Sequence, residues 1–133
     1  MGATLHQECG TGSEAVVLIQ DGVANSSVWD DVWTPFCKRF HTIRYDRRGY
    51  GRSPETKTPY YEADDVAALL NSRKIAHAAL VASSHGGQVA LEFALRYPAY
   101  VSYLVLVGPA VTGFPYSEYF LMRERASSQS DKV

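Results

Sequence analysis

The sequence holds only two cysteines, Cys9 and Cys37. Two are too few for a disulfide-stapled scaffold, and the expectation is that both are reduced. There is no surplus of basic charge: 13 Lys and Arg stand against 14 Asp and Glu, a formal net charge of -1. That balance speaks against nucleic acid or an anionic membrane surface as a partner. No apolar run approaches the ~18 residues of a membrane span. Met1 to Gly12 lacks the basic start and apolar stretch of a secretory signal, so a soluble cytoplasmic protein is expected. The four histidines and two cysteines are scattered, which leaves no metal-ligand spacing. No metal or cofactor is expected.

What is present suits a globular domain. The chain has 133 residues, 46% of them hydrophobic and 20% charged, enough to build one core. Leu5 to Cys9 reads as a short strand closed by the turn Gly10-Thr11-Gly12-Ser13, which places His6 in a terminal hairpin. Ala15 to Ile19 is a continuous apolar run without alternation, the pattern of a strand buried on both faces of a parallel sheet. Val28 to Phe40 carries Val28, Trp29, Val32, Trp33, Phe36 and Phe40 on helical spacing, interrupted by Pro35, and this apolar stripe is expected in the core. Further along come a strand at His41 to Tyr45, a helix at Ala63 to Ser72 opened by Asp64 and Asp65, a strand at Ala79 to Ala82, a helix from Gly86 to Tyr97 stopped by Pro98, and a strand at Val101 to Val107.

Strands alternating with helices predict an α/β fold, a mostly parallel sheet with helices on both faces. Residues 1–125 form the partial core domain and 126–133 a polar tail. Two weaker motifs resolve as structural. Gly10-Thr11-Gly12-Ser13-Glu14-Ala15 fits a dinucleotide pattern but precedes its strand instead of following it. Arg47, Arg48 and Arg52 around Gly49 and Gly51 lack the Gly-Lys-Ser/Thr of a phosphate loop.

In parallel sheets ligands bind at the carboxyl ends of strands. The residues after the Ala79 to Ala82 strand are Ser83-Ser84-His85-Gly86-Gly87, followed by a helix. A strand, a sharp turn and a helix with serine at the bend lift the hydroxyl clear of the backbone. Such a turn needs small residues two before and two after the serine. Ser84 meets that need with Ala82 and Gly86, whereas Ser83 would have Val81 and His85 there. Ser84 is therefore the candidate nucleophile. The backbone N–H of His85, next in sequence and at a helix start, is the candidate oxyanion donor.

Leu80 to Gly87 resembles the nucleophile elbow of the α/β-hydrolase superfamily, in its serine esterase and lipase branch. Tyr45-Asp46-Arg47-Arg48-Gly49-Tyr50-Gly51-Arg52-Ser53 resembles that family's Tyr-Asp-x-Arg-Gly-x-Gly-x-Ser loop. Val17 to Gly22 followed by Ser27 to Asp30 resembles its oxyanion loop and first helix, and Leu104 to Pro109 the strand after the elbow helix. The resemblance implies hydrolysis of an ester or related acyl bond in a small-molecule substrate. It implies Gly22 as the second backbone oxyanion donor, with Val23 as its neighbouring alternative. It also makes Gln20 a replacement for the family's usual histidine at that loop, and Asp46 a structural acceptor.

The family order is serine, then acid, then histidine. After Ser84 the only histidine is His85, whose ring should leave the elbow in another direction. His41 and His77 stand at strand starts, away from the site. The later carboxylates Glu92, Glu118, Glu124 and Asp131 follow no apolar strand. The expectation is the N-terminal half of the fold, truncated after the strand that follows the elbow helix and nearly inactive alone. The Val101 to Val107 strand then becomes an edge open to self-association. The alternatives are a non-catalytic interaction module on the same scaffold, or one half of a split enzyme.

Overall fold

A computed structural model describes residues 6–21, 25–48 and 60–110. Five strands form one sheet: β1 (His6–Cys9), β2 (Ala15–Ile19), β3 (His41–Tyr45), β4 (Ala78–Ser83) and β5 (Val101–Val107), in the spatial order β1-β3-β2-β4-β5. Three helices connect them: α1 (Asp30–Arg39), α2 (Glu62–Ser72) and α3 (His85–Arg96). β2, β3, β4 and β5 run parallel, and β1 is antiparallel to β3. The expected terminal hairpin is thus corrected. β2 is occupied on both sides by β3 and β4, so β1 crosses β2 and pairs with β3, His6 opposite Tyr45.

Strand alternation divides the sheet into two unlike faces. Val17, Ile19, Ile43, Tyr45, Leu80 and Ala82 point to one face, where Val66 and Leu70 of α2 and Val89 and Phe93 of α3 complete a closed core. The other face carries α1, so helices do cover both sides. Here the expectation of a core stripe fails. None of the α1 residues is fully buried, and Val28 and Val32 are exposed. α1 meets the sheet mainly at β3, through Arg44, whose guanidinium lies 4.3 Å from the centroid of the Trp33 ring and whose Nη1 donates to Asp30 Oδ1 at 2.6 Å. Pro35 sits inside α1 without ending it, and a single 3-10 turn at Ser26–Trp29 leads in, capped by the Asn25 side chain.

The expectation of reduced cysteines is also overturned. Cys9 and Cys37 form a disulfide between β1 and α1, with Cα atoms 5.3 Å apart. The β1–β2 turn brings them together, because Gly10 and Gly12 lie so close to the carbonyls of Cys37, Arg39 and Phe40 that a Cβ on either would collide. Gly10 also has φ +78, a left-handed conformation that favours glycine.

β5 is the edge strand the sequence led one to expect. Tyr103 is 69% and Val107 59% exposed. Among the described residues no helix is long and apolar enough to cross a membrane.

Candidate active site

The turn after β4 has the geometry that its small residues imply. Ser84 follows the last residue of β4 and caps α3, at φ 50 and ψ -119. A non-glycine residue there is strained, and strain of this kind is held only when the surroundings over-determine it. Three backbone hydrogen bonds do so. Ser84 N donates to Val107 O at 3.0 Å, Gly87 N donates to Ser84 O at 2.9 Å, and Ala110 N donates to the same carbonyl at 2.8 Å. β5 and the Gly108-Pro109-Ala110 segment behind it therefore brace the serine turn. In the sequence this segment reads only as a strand end.

The two glycines after the serine are required by contact. A Cβ at Gly86 would collide with the carbonyls of Ile19 and Gln20, and one at Gly87 with Pro109. Ala82 is fully buried. The small residues on either side of Ser84 thus let α3 start directly against the end of β2. Ser84 and His85 are half-buried, and His85 is the first residue of α3, at the positive end of that helix.

The β2 end is fixed by a polar network. Gln20 is completely buried, and its Oε1 accepts from Arg47 N at 2.9 Å. Arg47 Nη1 donates to Asp21 O at 2.9 Å, and its Nε and Nη2 form a bidentate pair with Glu62 at 2.7 and 2.9 Å. Asp46 accepts from Ser26 N at 2.9 Å, in the 3-10 turn that leads into α1. The segment between these two anchors contains Gly22 and Val23, which lie outside the described residues. Arg48 pairs with Asp65, yet burial outweighs that partner and pushes the Asp65 carboxyl above its ordinary range. Burial, with Glu62 nearby, likewise raises the Tyr45 hydroxyl, which has no hydrogen-bond partner among the described residues.

Three of the four histidines are engaged away from Ser84. His41 Nε2 lies 2.6 Å from Glu8 Oε2, and His41 pairs with Ala15 at the start of β2. His6 Nε2 is 3.9 Å from the same carboxylate, on the far edge strand. His77 Nδ1 is 3.3 Å from Ser102 Oγ. That last pair borders a cleft of about 250 Å³ between the starts of β2, β4 and β5, also lined by Glu14 and Tyr103. It lies at the opposite end of the sheet from the serine. Among the described residues no group of three or more His, Cys, Asp or Glu is arranged to hold a metal.

Known proteins resemble this chain. The 2-(acetamidomethylene)succinate hydrolase of Mesorhizobium japonicum is 34% identical over 100 residues, covering 72% of this chain and 36% of that protein. The 2-hydroxymuconate semialdehyde hydrolase of a Pseudomonas species is 34% identical over 101 residues, covering 73% and 36%. Among solved structures, the N-acyl homoserine lactone degrading enzyme Est816 superposes with a TM-score of 0.76 at 30% identity, covering 80% of this chain and 42% of that one. The chain thus spans well under half the length of each. Residues 14–129 match the alpha/beta hydrolase fold. This stretch begins just before β2 and takes in the elbow and both of its braces, and the chain belongs to the alpha/beta hydrolase family.

Proposed function

We propose that this chain carries the nucleophile half of a serine hydrolase acting on ester or related acyl bonds. Ser84 is the nucleophile, and the backbone N–H groups of His85 and Gly22 hold the oxyanion. The observation that carries this reading is the strained Ser84 backbone, φ 50 and ψ -119, held between a buried strand and a helix start. A turn of that kind presents a hydroxyl at a helix N-terminus, where negative charge developing on an acyl oxygen is stabilised. The named relatives act as hydrolases and support the reaction class.

A serine needs a base to take its proton. His6, His41 and His77 are held elsewhere in the fold, and His85 leads α3 immediately after the serine. The acid and the base are therefore assigned to polypeptide corresponding to the part of the relatives that this chain does not span. They come from the same chain or a second one, in a cytoplasmic setting. On a short acyl ester the 133-residue protein should turn over no faster than its Ser84→Ala variant. Fast turnover that disappears in Ser84→Ala would defeat the need for a supplied base.

A second reading is favoured by the exposed apolar residues of β5. It makes the chain an interaction module that self-associates by edge pairing. Sedimentation showing a discrete, well-folded dimer with no reactive serine would support it. A monomer would sink it.

A further inference from the structure

No residue of helix α1 is fully buried. Two sets of ties hold it among the described residues. Near its start, Asp30 accepts from Arg44 and Trp33 lies over the same guanidinium. Near its end stand the Cys9–Cys37 bond and the close approach of Gly10 and Gly12 to the last carbonyls of the helix. The closed core of α2 and α3 lies on the opposite face and includes neither cysteine. Both cysteines are half-buried.

We infer that Cys9–Cys37 is a redox site, opened and closed by thiol–disulfide exchange, whose state sets how firmly α1 and the 3-10 turn leading into it are held on the sheet. A thiolate of a dithiol reductant attacks one sulfur, forms a mixed disulfide and releases the other cysteine as a thiolate, which takes up a proton. The second thiol of the reductant then displaces the first cysteine, which is protonated in turn. Two electrons pass to the protein, two thiols remain on it, and the reductant leaves as its own disulfide. A bond between two half-buried cysteines outside the closed core is of the exchangeable kind, and opening it acts locally.

Hydrogen–deuterium exchange on the full chain tests this without reading activity. Protein equilibrated with oxidised glutathione should carry no alkylatable thiol. After dithiothreitol it should carry two, with exchange across residues 25–39 rising roughly tenfold and rising far less in β4 and α3. Re-oxidation should restore protection, and Cys9→Ser/Cys37→Ser should match the reduced pattern. Two free thiols after oxidised glutathione, or equal exchange of α1 in both states, would overturn the inference. So would equal changes in α1 and α3, which would mark a general staple instead of a local site.

Discussion

β2 and β5 are both runs of apolar residues rich in β-branched side chains, yet they come to rest in opposite surroundings. β2 lies between β3 and β4, and four of its five residues are buried. Among the described residues β5 has β4 on one side only, and no residue of it is fully buried. The difference does not lie in composition. A β-branched run specifies a strand, while its burial is supplied by neighbouring strands and by helices on each face. The helices on the two sheet faces differ as well: α2 and α3 each bury several residues, whereas no residue of α1 is fully buried. The serine turn sits where the regions meet, with β2 and the Gln20 network on one side and β5 on the other.

The comparison can be broken by paired substitutions. Leu18→Ala on β2 removes a fully buried side chain and should cost about 3 kcal/mol in urea unfolding, whereas Val105→Ala on β5 should cost under about 0.5 kcal/mol. Equal losses would mean that β5 is as buried as β2. Gly86→Ala probes the junction between them, where a Cβ meets the Ile19 and Gln20 carbonyls. It should cost about 2 kcal/mol, measured the same way. If the exposed edge drives self-association, Val105→Lys should shift sedimentation toward monomer with stability unchanged. An unaltered distribution would remove β5 from the contact.

The smallest effect is electrostatic and lies on the far side of β2. Burial pushes the Glu8 carboxyl up, but the hydrogen bond to His41 and the charges of Arg73, His41 and His6 outweigh it and hold it below its ordinary range. The native state therefore binds this proton less readily than the unfolded chain does. The stabilisation is fully present above the unfolded value of about 4.3 and is lost as pH falls through the native value. The stability gap between wild type and Glu8→Gln should be largest well above the unfolded glutamate value and should shrink as pH falls below it. A gap that widens on acidification would reverse the sign of this contribution.

Much of this was legible in the sequence because it is local. The bounds of β2, β3 and β5 follow from apolar runs, α2 differs from expectation by one residue at its start, and α3 by one residue at each end. Gly86 betrays the elbow because the turn tolerates nothing larger. What could not be read is long-range. β1 pairs past β2 to β3, and Cys9 finds Cys37 across 28 residues, only because the Gly10–Gly12 turn packs on the end of α1. Arg47 showed as a loop residue, while its partner Glu62 lies 15 residues on and its bond to Gln20 spans 27. The stripe of α1 promised burial, but a helix pattern cannot say whether the facing sheet is covered. The Gly22 assignment falls outside the described residues.

The most direct test of Ser84 as nucleophile supplies what the proposal says is needed. The chain would be joined in frame to the portion of the Mesorhizobium japonicum relative that follows the matched region, and its turnover of a short acyl ester compared with the same fusion carrying Ser84→Ala. With circular dichroism showing both folded alike, the account predicts Ser84-dependent turnover, falling by roughly a thousandfold or more in the variant. Turnover by the folded fusion that is unchanged in Ser84→Ala would contradict it.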